Sequence, residues 1–176
     1  MCSTGLLSKH FLNLMAPLTV SNIFARMGSE STYSPRTMSI RRPILDNRYR
    51  YSPPAEVLQK LSPSELQHVK NLMVSNEHGM ICWSGETDIS GVDFTKDLLL
   101  ERGRCEIYPC GNAPLRGTKL NKHAVITLLG IQFFLPGSQE SLLRAQIEQR
   151  TSEMGARFIS FDNTNGEWSF AVDYFA

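Results

Sequence analysis

The sequence has almost no net charge: 18 Lys and Arg stand against 17 Asp and Glu, leaving +1. Domains that hold nucleic acid through bulk charge reach a pI above about 9, and this chain sits near 7.7. Composition therefore supports neither a strongly basic nucleic-acid binder nor a membrane-surface protein. The chain also lacks any apolar run near the ~20 residues that span a bilayer, any internal repeat and any low-complexity block. Its four cysteines, Cys2, Cys82, Cys105 and Cys110, fall at irregular spacing. A domain of this size needs no covalent staples, so they read as reduced thiols of an intracellular protein. Cys105 and Cys110, with His78 and Cys82, offer only a loose ligand spacing, whereas structural zinc sites pair close ligands such as C-x₂₋₄-C. Buried thiols are the simpler reading. Nothing indicates a metal, a cofactor or a small-molecule substrate.

Acidic residues are scarce at the start: Glu30 and Asp46 are the only ones before residue 48. Residues 1–47 are rich in Ser, Thr, Met, Arg and Pro, with an apolar stretch from Leu6 to Phe24 broken by Pro17. This segment reads as a disordered tail or as an organelle transit peptide, which is amphipathic, Arg- and Ser-containing and poor in acids. From 48 to 176 the pattern is that of one domain. Hydrophobic residues make up 41% of the chain and charged residues 20%, enough for a core.

Ser62-Pro63-Ser64-Glu65 has the form of a helix N-terminus: a capping serine, proline at the first helical position and a glutamate that reaches back. Leu66, Val69 and Met73 come next at helical spacing, which predicts a helix over 63–74. A shorter amphipathic segment, Ala55 to Leu61, precedes it. Strands are predicted at Met80–Trp83, Thr87–Val92, Arg104–Tyr108 and His123–Leu129, each punctuated by Gly or Pro. Ser138 is the expected cap of a second helix that buries Leu143, Ile147 and Met154 and ends at Gly155. A closing hairpin runs from Arg157–Phe161 through the turn residues Asp162–Gly166 and back over Glu167–Phe175. Its return strand places Trp168, Phe170, Val172 and Tyr174 on one face. Strands and helices alternate without βαβ regularity, so the expected class is α+β, a mainly antiparallel sheet flanked by helices.

Several runs, in order, carry a family resemblance. They are Tyr49-Arg50-Tyr51-Ser52-Pro53, the stretch from His78 to Asp93 with glycines at 79, 85 and 91, Glu106-Ile107-Tyr108-Pro109, Leu120-Asn121-Lys122 followed by Ala124-Val125-Ile126-Thr127-Leu128, and Gly155-Ala156-Arg157-Phe158 with Gly166-Glu167-Trp168-Ser169-Phe170. From about residue 48 onward the chain resembles the C-terminal autoproteolytic domain of phenylalanine–glycine repeat (GLFG-type) nucleoporins. No phenylalanine–glycine array accompanies it.

The resemblance implies a self-cleaving chemistry and also its loss. In the family a His-Phe-Ser triplet ends the last strand. The serine hydroxyl attacks the preceding carbonyl, a histidine assists proton transfer, and the ester hydrolyses. Here the matching triplet is Tyr174-Phe175-Ala176. Tyr174 replaces the histidine, and Ala176 brings a methyl group where the hydroxyl belongs. Ala176 is also the last residue, so the expectation is a domain without peptidase activity. The other reading is a serine autoprotease whose nucleophile was removed, by engineering or with a truncated tail.

The family's second role needs a surface rather than a hydroxyl. The resemblance implies docking on scaffold nucleoporins at the nuclear pore, in support of nucleocytoplasmic transport of protein and mRNA. Candidate partner-binding residues are Tyr174, Phe175, Asn121 and Lys122. For Asn121 a turn-stabilising role is the simpler account. Trp83 and Trp168 read as core, and His123 as a strand-edge residue rather than a catalyst. Arg102, Arg104, Arg116, Lys119 and Lys122 form a modest basic set, read as a solvated face or as a weak RNA contact. The expected location is the nuclear pore. A mitochondrial or plastid address is the alternative offered by the N-terminal segment.

Overall fold

A computed structural model describes residues 41–131 and 140–175. The expected cap Ser138, the N-terminal stretch 1–40 and Ala176 lie outside the described residues. In chain order the elements are β1 (Arg50–Ser52), α1 (Ala55–Leu58), β2 (Val69–Asn76), β3 (Gly79–Thr87), β4 (Leu98–Glu101), β5 (Arg104–Ile107), β6 (Ala124–Leu128), α2 (Glu140–Glu153), β7 (Arg157–Asp162) and β8 (Glu167–Val172). Six strands make one sheet in the order β1-β2-β3-β6-β8-β7, with every neighbour antiparallel. β4 and β5 form a separate antiparallel pair. The class is α+β, as expected, with few helices.

The predicted helix over 63–74 is not there. Its cap is: Ser62 N–H donates to Glu65 Oε2 at 2.7 Å, and Glu65 N–H donates to Ser62 Oγ at 3.3 Å. That box opens a single 3₁₀ turn, Glu65–Gln67, and the chain then enters β2. The misleading signal has a physical origin. β2 carries a bulge between Lys70 and Leu72, with Asn71 at φ +48°. The extra residue advances the inward phase by one. Val69 and Leu72 both face the core, and their three-residue spacing imitates a helix. Leu72 pairs with Trp83, and Val74 pairs with Ile81.

Two further expectations are corrected. Thr87 ends β3 instead of starting a strand to Val92; Asp88 to Val92 turn, with Asp88 Oδ1 accepting Ser90 N–H at 2.8 Å. β8 stops at Val172, so Tyr174 lies outside the strand and is exposed. β8 is also buried on both faces, since Ser169 and Ala171 are buried along with Trp168 and Phe170.

The second helix behaves as its sequence indicates. Leu143 and Ile147 are buried, and Met154 packs against the core. Gly155, at φ +70°, closes a Schellman end: Ala156 N–H donates to Thr151 O and Gly155 N–H to Ser152 O. The hairpin turn before β8 is held by Asp162, whose carboxylate accepts Thr164 N–H and Asn165 Nδ2, each at 2.8 Å. Gly166 is required there twice over. Its φ is +64°, and a Cβ would sit 2.7 Å from Ile131 O.

Both edges of the large sheet are blunted. β1 has three residues and ends at the cis Ser52–Pro53 bond. β7 is bulged between Phe158 and Ser160. Short or bulged edges discourage strand addition. The chain is already tied to the domain at its first described residues: Gly91 N–H donates to Arg41 O, Ile44 N–H donates to Val92 O, and Arg42 Nη1 reaches Gln59 O at 2.7 Å.

Candidate partner-binding site

The central strand β3 places Trp83 at 0% exposure in the middle of the sheet. Its indole N–H donates to Leu120 O at 3.0 Å. That bond ties β3 to the turn that precedes β6. The turn closes on itself: Gly117 N–H donates to Asn121 O at 2.7 Å, and Asn121 N–H donates to Thr118 O at 2.9 Å. Gly117 and Lys119 both take the left-handed region, at φ +83° and +52°. For a lysine this conformation is unfavourable, so the surroundings must hold it.

Asn121 is 1% exposed. Its side-chain N–H donates to Pro114 O at 2.8 Å, and its carbonyl oxygen accepts Phe175 N–H at 2.8 Å. The turn-stabilising role and the family-implied position therefore coincide in one amide group. The Phe175 ring lies 6.4 Å from that of Trp83 with a 49° tilt. The Tyr174 ring carries Arg116 over its face, with Cζ 3.7 Å from the centroid, within cation–π range. Leu115 beside it is 83% exposed.

Of the four expected site residues, three meet at this corner: Asn121 and Phe175 in direct contact, and Tyr174 next to them. Lys122 points elsewhere along the chain, its ammonium donating to Glu86 O at 2.6 Å and Ser84 O at 3.3 Å. The basic set does not act as one patch. Arg102 holds Gly130 O, Arg104 pairs with Glu106 and Glu101, Lys119 pairs with Asp88 and Arg116 stacks on Tyr174. His123 is exposed just ahead of β6.

Sequence reasoning missed Asp88, Ser90 and Lys119 as a group. Lys119 Nζ lies 2.8 Å from Asp88 Oδ2, 2.6 Å from Ser90 O and 2.8 Å from Ser90 Oγ. Ser90 Oγ donates to Asp88 Oδ1 at 2.6 Å. Burial pushes the Asp88 carboxyl up, but the hydrogen bonds from Lys119 and Ser90 outweigh it and hold the group below the usual carboxylate range. A serine beside a lysine can form a nucleophile–base pair. Here the amine's donors are spent on three acceptors and the hydroxyl donates to a carboxylate, so the serine is not activated. Tyr108, at φ +59°, offers its hydroxyl to Leu120 N–H at 3.4 Å; burial pushes this phenol up to about 12. Burial likewise pushes the Cys105 thiol up to about 12, while Cys110 is exposed. Among the described residues no group of three His, Cys, Asp or Glu side chains is placed to hold a metal ion.

A family model described as Nup98-96 autopeptidase S59 matches residues 46–176. The chain belongs to this family of autopeptidase domains. It is 27% identical over 128 residues to the nuclear pore complex protein NUP98A of Arabidopsis thaliana, covering 67% of this chain and 12% of that protein. It is 33% identical over 102 residues to NUP96 of the same plant, covering 56% and 10%. The chain thus spans about a tenth of the length of these relatives. A chain of the yeast heterotrimeric Nup82–Nup159–Nup116 nucleoporin complex has a TM-score of 0.65 at 25% identity, over 75% of this chain and 99% of that one.

Proposed function

We propose that residues 48–176 form a non-catalytic docking module that binds scaffold nucleoporins at the nuclear pore and supports nucleocytoplasmic transport of protein and mRNA. One observation carries the reading. At the position of the family's cleavage triplet the chain presents a docked aromatic end, Phe175 on Asn121 and Trp83, while the sequence supplies tyrosine and alanine in place of the imidazole and the hydroxyl. A site without a nucleophile still offers shape and hydrogen bonds. Membership of a family whose relatives are nuclear pore proteins, and likeness to a chain within a nucleoporin complex, support protein partners of that kind. Tyr174, Phe175, Asn121 and Arg116 would form the contact corner, with exposed Leu115 at its rim. Residues 1–47 would be a tail, although those from 41 onward already lie against the domain. RNA is not part of this reading, because each member of the basic set is engaged within the chain.

The test is localisation of the chain in its own cell, tagged beyond Ala176 through a flexible linker. A nuclear rim signal is expected. Asn121→Ala, which strands Phe175 N–H and Pro114 O at a cost of about 1–3 kcal/mol, should abolish the rim while the purified variant remains folded. The tagged parent should keep its tag by intact mass. A mitochondrial or plastid signal, an Asn121→Ala rim equal to the parent's, or spontaneous release of the tag would overturn the reading.

A further inference from the structure

The left-handed Lys119 has a function-shaped context. It sits two residues before Asn121, inside a turn whose only glycine at positive φ is Gly117. A lysine stays in that region when surrounding contacts over-determine it. Its side-chain partners come from one place, the Asp88–Ser90 loop after β3, while Trp83 and Tyr108 hold the neighbouring Leu120. That loop is itself rooted in the core: Ile89 is 0% exposed, and its N–H donates to Leu66 O at 2.9 Å. A chain of short contacts therefore runs from the core through Asp88 and Ser90 to the Lys119 ammonium, along the backbone to Asn121, and from Asn121 Oδ1 to Phe175 N–H.

We propose that the Asp88–Ser90–Lys119 cluster is the positioning device of the chain-end site: it fixes the turn so that Asn121 meets the Phe175 amide and Phe175 stays against Trp83. Among the described residues no hydrogen bond or ion pair joins Lys119 or Asp88 to Phe175 or Tyr174; they act through Asn121. The functional meaning of this device rests on the docking reading above, but its existence does not.

The test uses the full chain, labelled for residue-resolved amide hydrogen exchange. K119N removes the ammonium and keeps a residue that tolerates the left-handed region. K119R keeps the cation. Asp88→Asn breaks the ion pair from the other side and leaves an acceptor for Ser90 N–H. The expected result is exchange at Phe175 about tenfold faster in K119N and in Asp88→Asn, with Leu72 and Ile81 in β2 and β3 unchanged, and near-parental exchange in K119R. Unchanged Phe175 exchange would overturn the proposal. So would equal acceleration at Leu72 and Ile81, which marks a merely structural ion pair. If K119N frees Phe175 yet keeps the nuclear rim, the docking reading fails and the positioning device stands. If the rim is lost with Phe175 exchange unchanged, the reverse holds.

Discussion

The two tryptophans sit in one sheet and fasten it in different ways. Trp168, on β8, packs at 4.9 Å from Phe170 and donates its indole N–H to Thr151 Oγ1 of α2 at 3.2 Å. Leu128 and Phe161 are its register partners on the neighbouring strands, and Leu143 and Ile147 of α2 belong to the same core, so this end is closed mainly by apolar side chains on regular elements. Trp83, on β3, donates to a backbone carbonyl in a turn, and its ring meets the last described residue of the chain. That corner is assembled from loops: Asp88–Ser90, Pro114–Asn121 and Tyr174–Phe175. Burial is non-directional and tolerates small shifts. A corner built from aimed hydrogen bonds is worth little unless each partner is in place. The molecule therefore has a region closed by packing on regular elements and a region held by hydrogen bonds between loops.

The largest expected effect falls on both tryptophans, and its reach to Phe175 tells them apart. Trp83→Ala and Trp168→Ala should each cost about 3–5 kcal/mol in urea unfolding, a large part of the ~5–15 kcal/mol that holds a domain. Trp83→Ala should also move the Phe175 amide resonance, whereas Trp168→Ala should leave it in place. Displacement of Phe175 by the Trp168 change would erase the distinction between the two regions.

The same division decides what can be read from the sequence. Helix α2 announces itself through Leu143, Ile147 and Gly155, because its core contacts are periodic and its end needs a left-handed residue. The β7–β8 hairpin does so through Asp162–Gly166. β2 is hidden because the bulge at Asn71 turns a two-residue period into a three-residue one behind a genuine capping box. β4 carries three consecutive leucines, Leu98 to Leu100, a run without period. In the candidate site, Asn121 and Phe175 stand out by family pattern, but their direct bond joins residues 54 apart. Lys119 and Ser90, 29 apart, leave no periodic trace. Neither does the stacking of Arg116 on Tyr174, since cation–π pairs between loops obey no spacing rule.

A smaller effect tests the apolar end by the polar link between α2 and β8. Thr151 is 0% exposed; its hydroxyl donates to Ile147 O at 2.7 Å and accepts from Trp168. Thr151→Val keeps the volume and leaves the indole N–H unpartnered, a loss of about 1–3 kcal/mol. Urea unfolding should show that loss as one cooperative transition. If α2 loosens separately, detected as exchange at Leu143 and Ile147 ahead of Ile126, then this end too depends on an aimed hydrogen bond, and the contrast between the regions narrows.

Acid should produce the smallest effect, and Asp88 is the carboxylate through which it reaches the loop-built corner. The Asp88 carboxyl titrates below its ordinary value of 3.8 in the folded chain. A lowered folded pKa means that the stabilising contribution is present above the unfolded value and is lost as pH falls through the folded one. The window therefore lies below about pH 4, and the pair, partly exposed on both sides, contributes about 1 kcal/mol or less. Protonation of Asp88 removes the anion that Lys119 faces and leaves Ser90 and the turn with weaker partners. The Phe175 amide should then shift in an acid titration followed by NMR, while the Trp168 indole resonance, whose partner is a hydroxyl, should hold its position until the whole domain unfolds. Simultaneous movement of both resonances would mean that the corner and the sheet melt as one unit, and that the polar contacts at the chain end are no looser than the core they rest on.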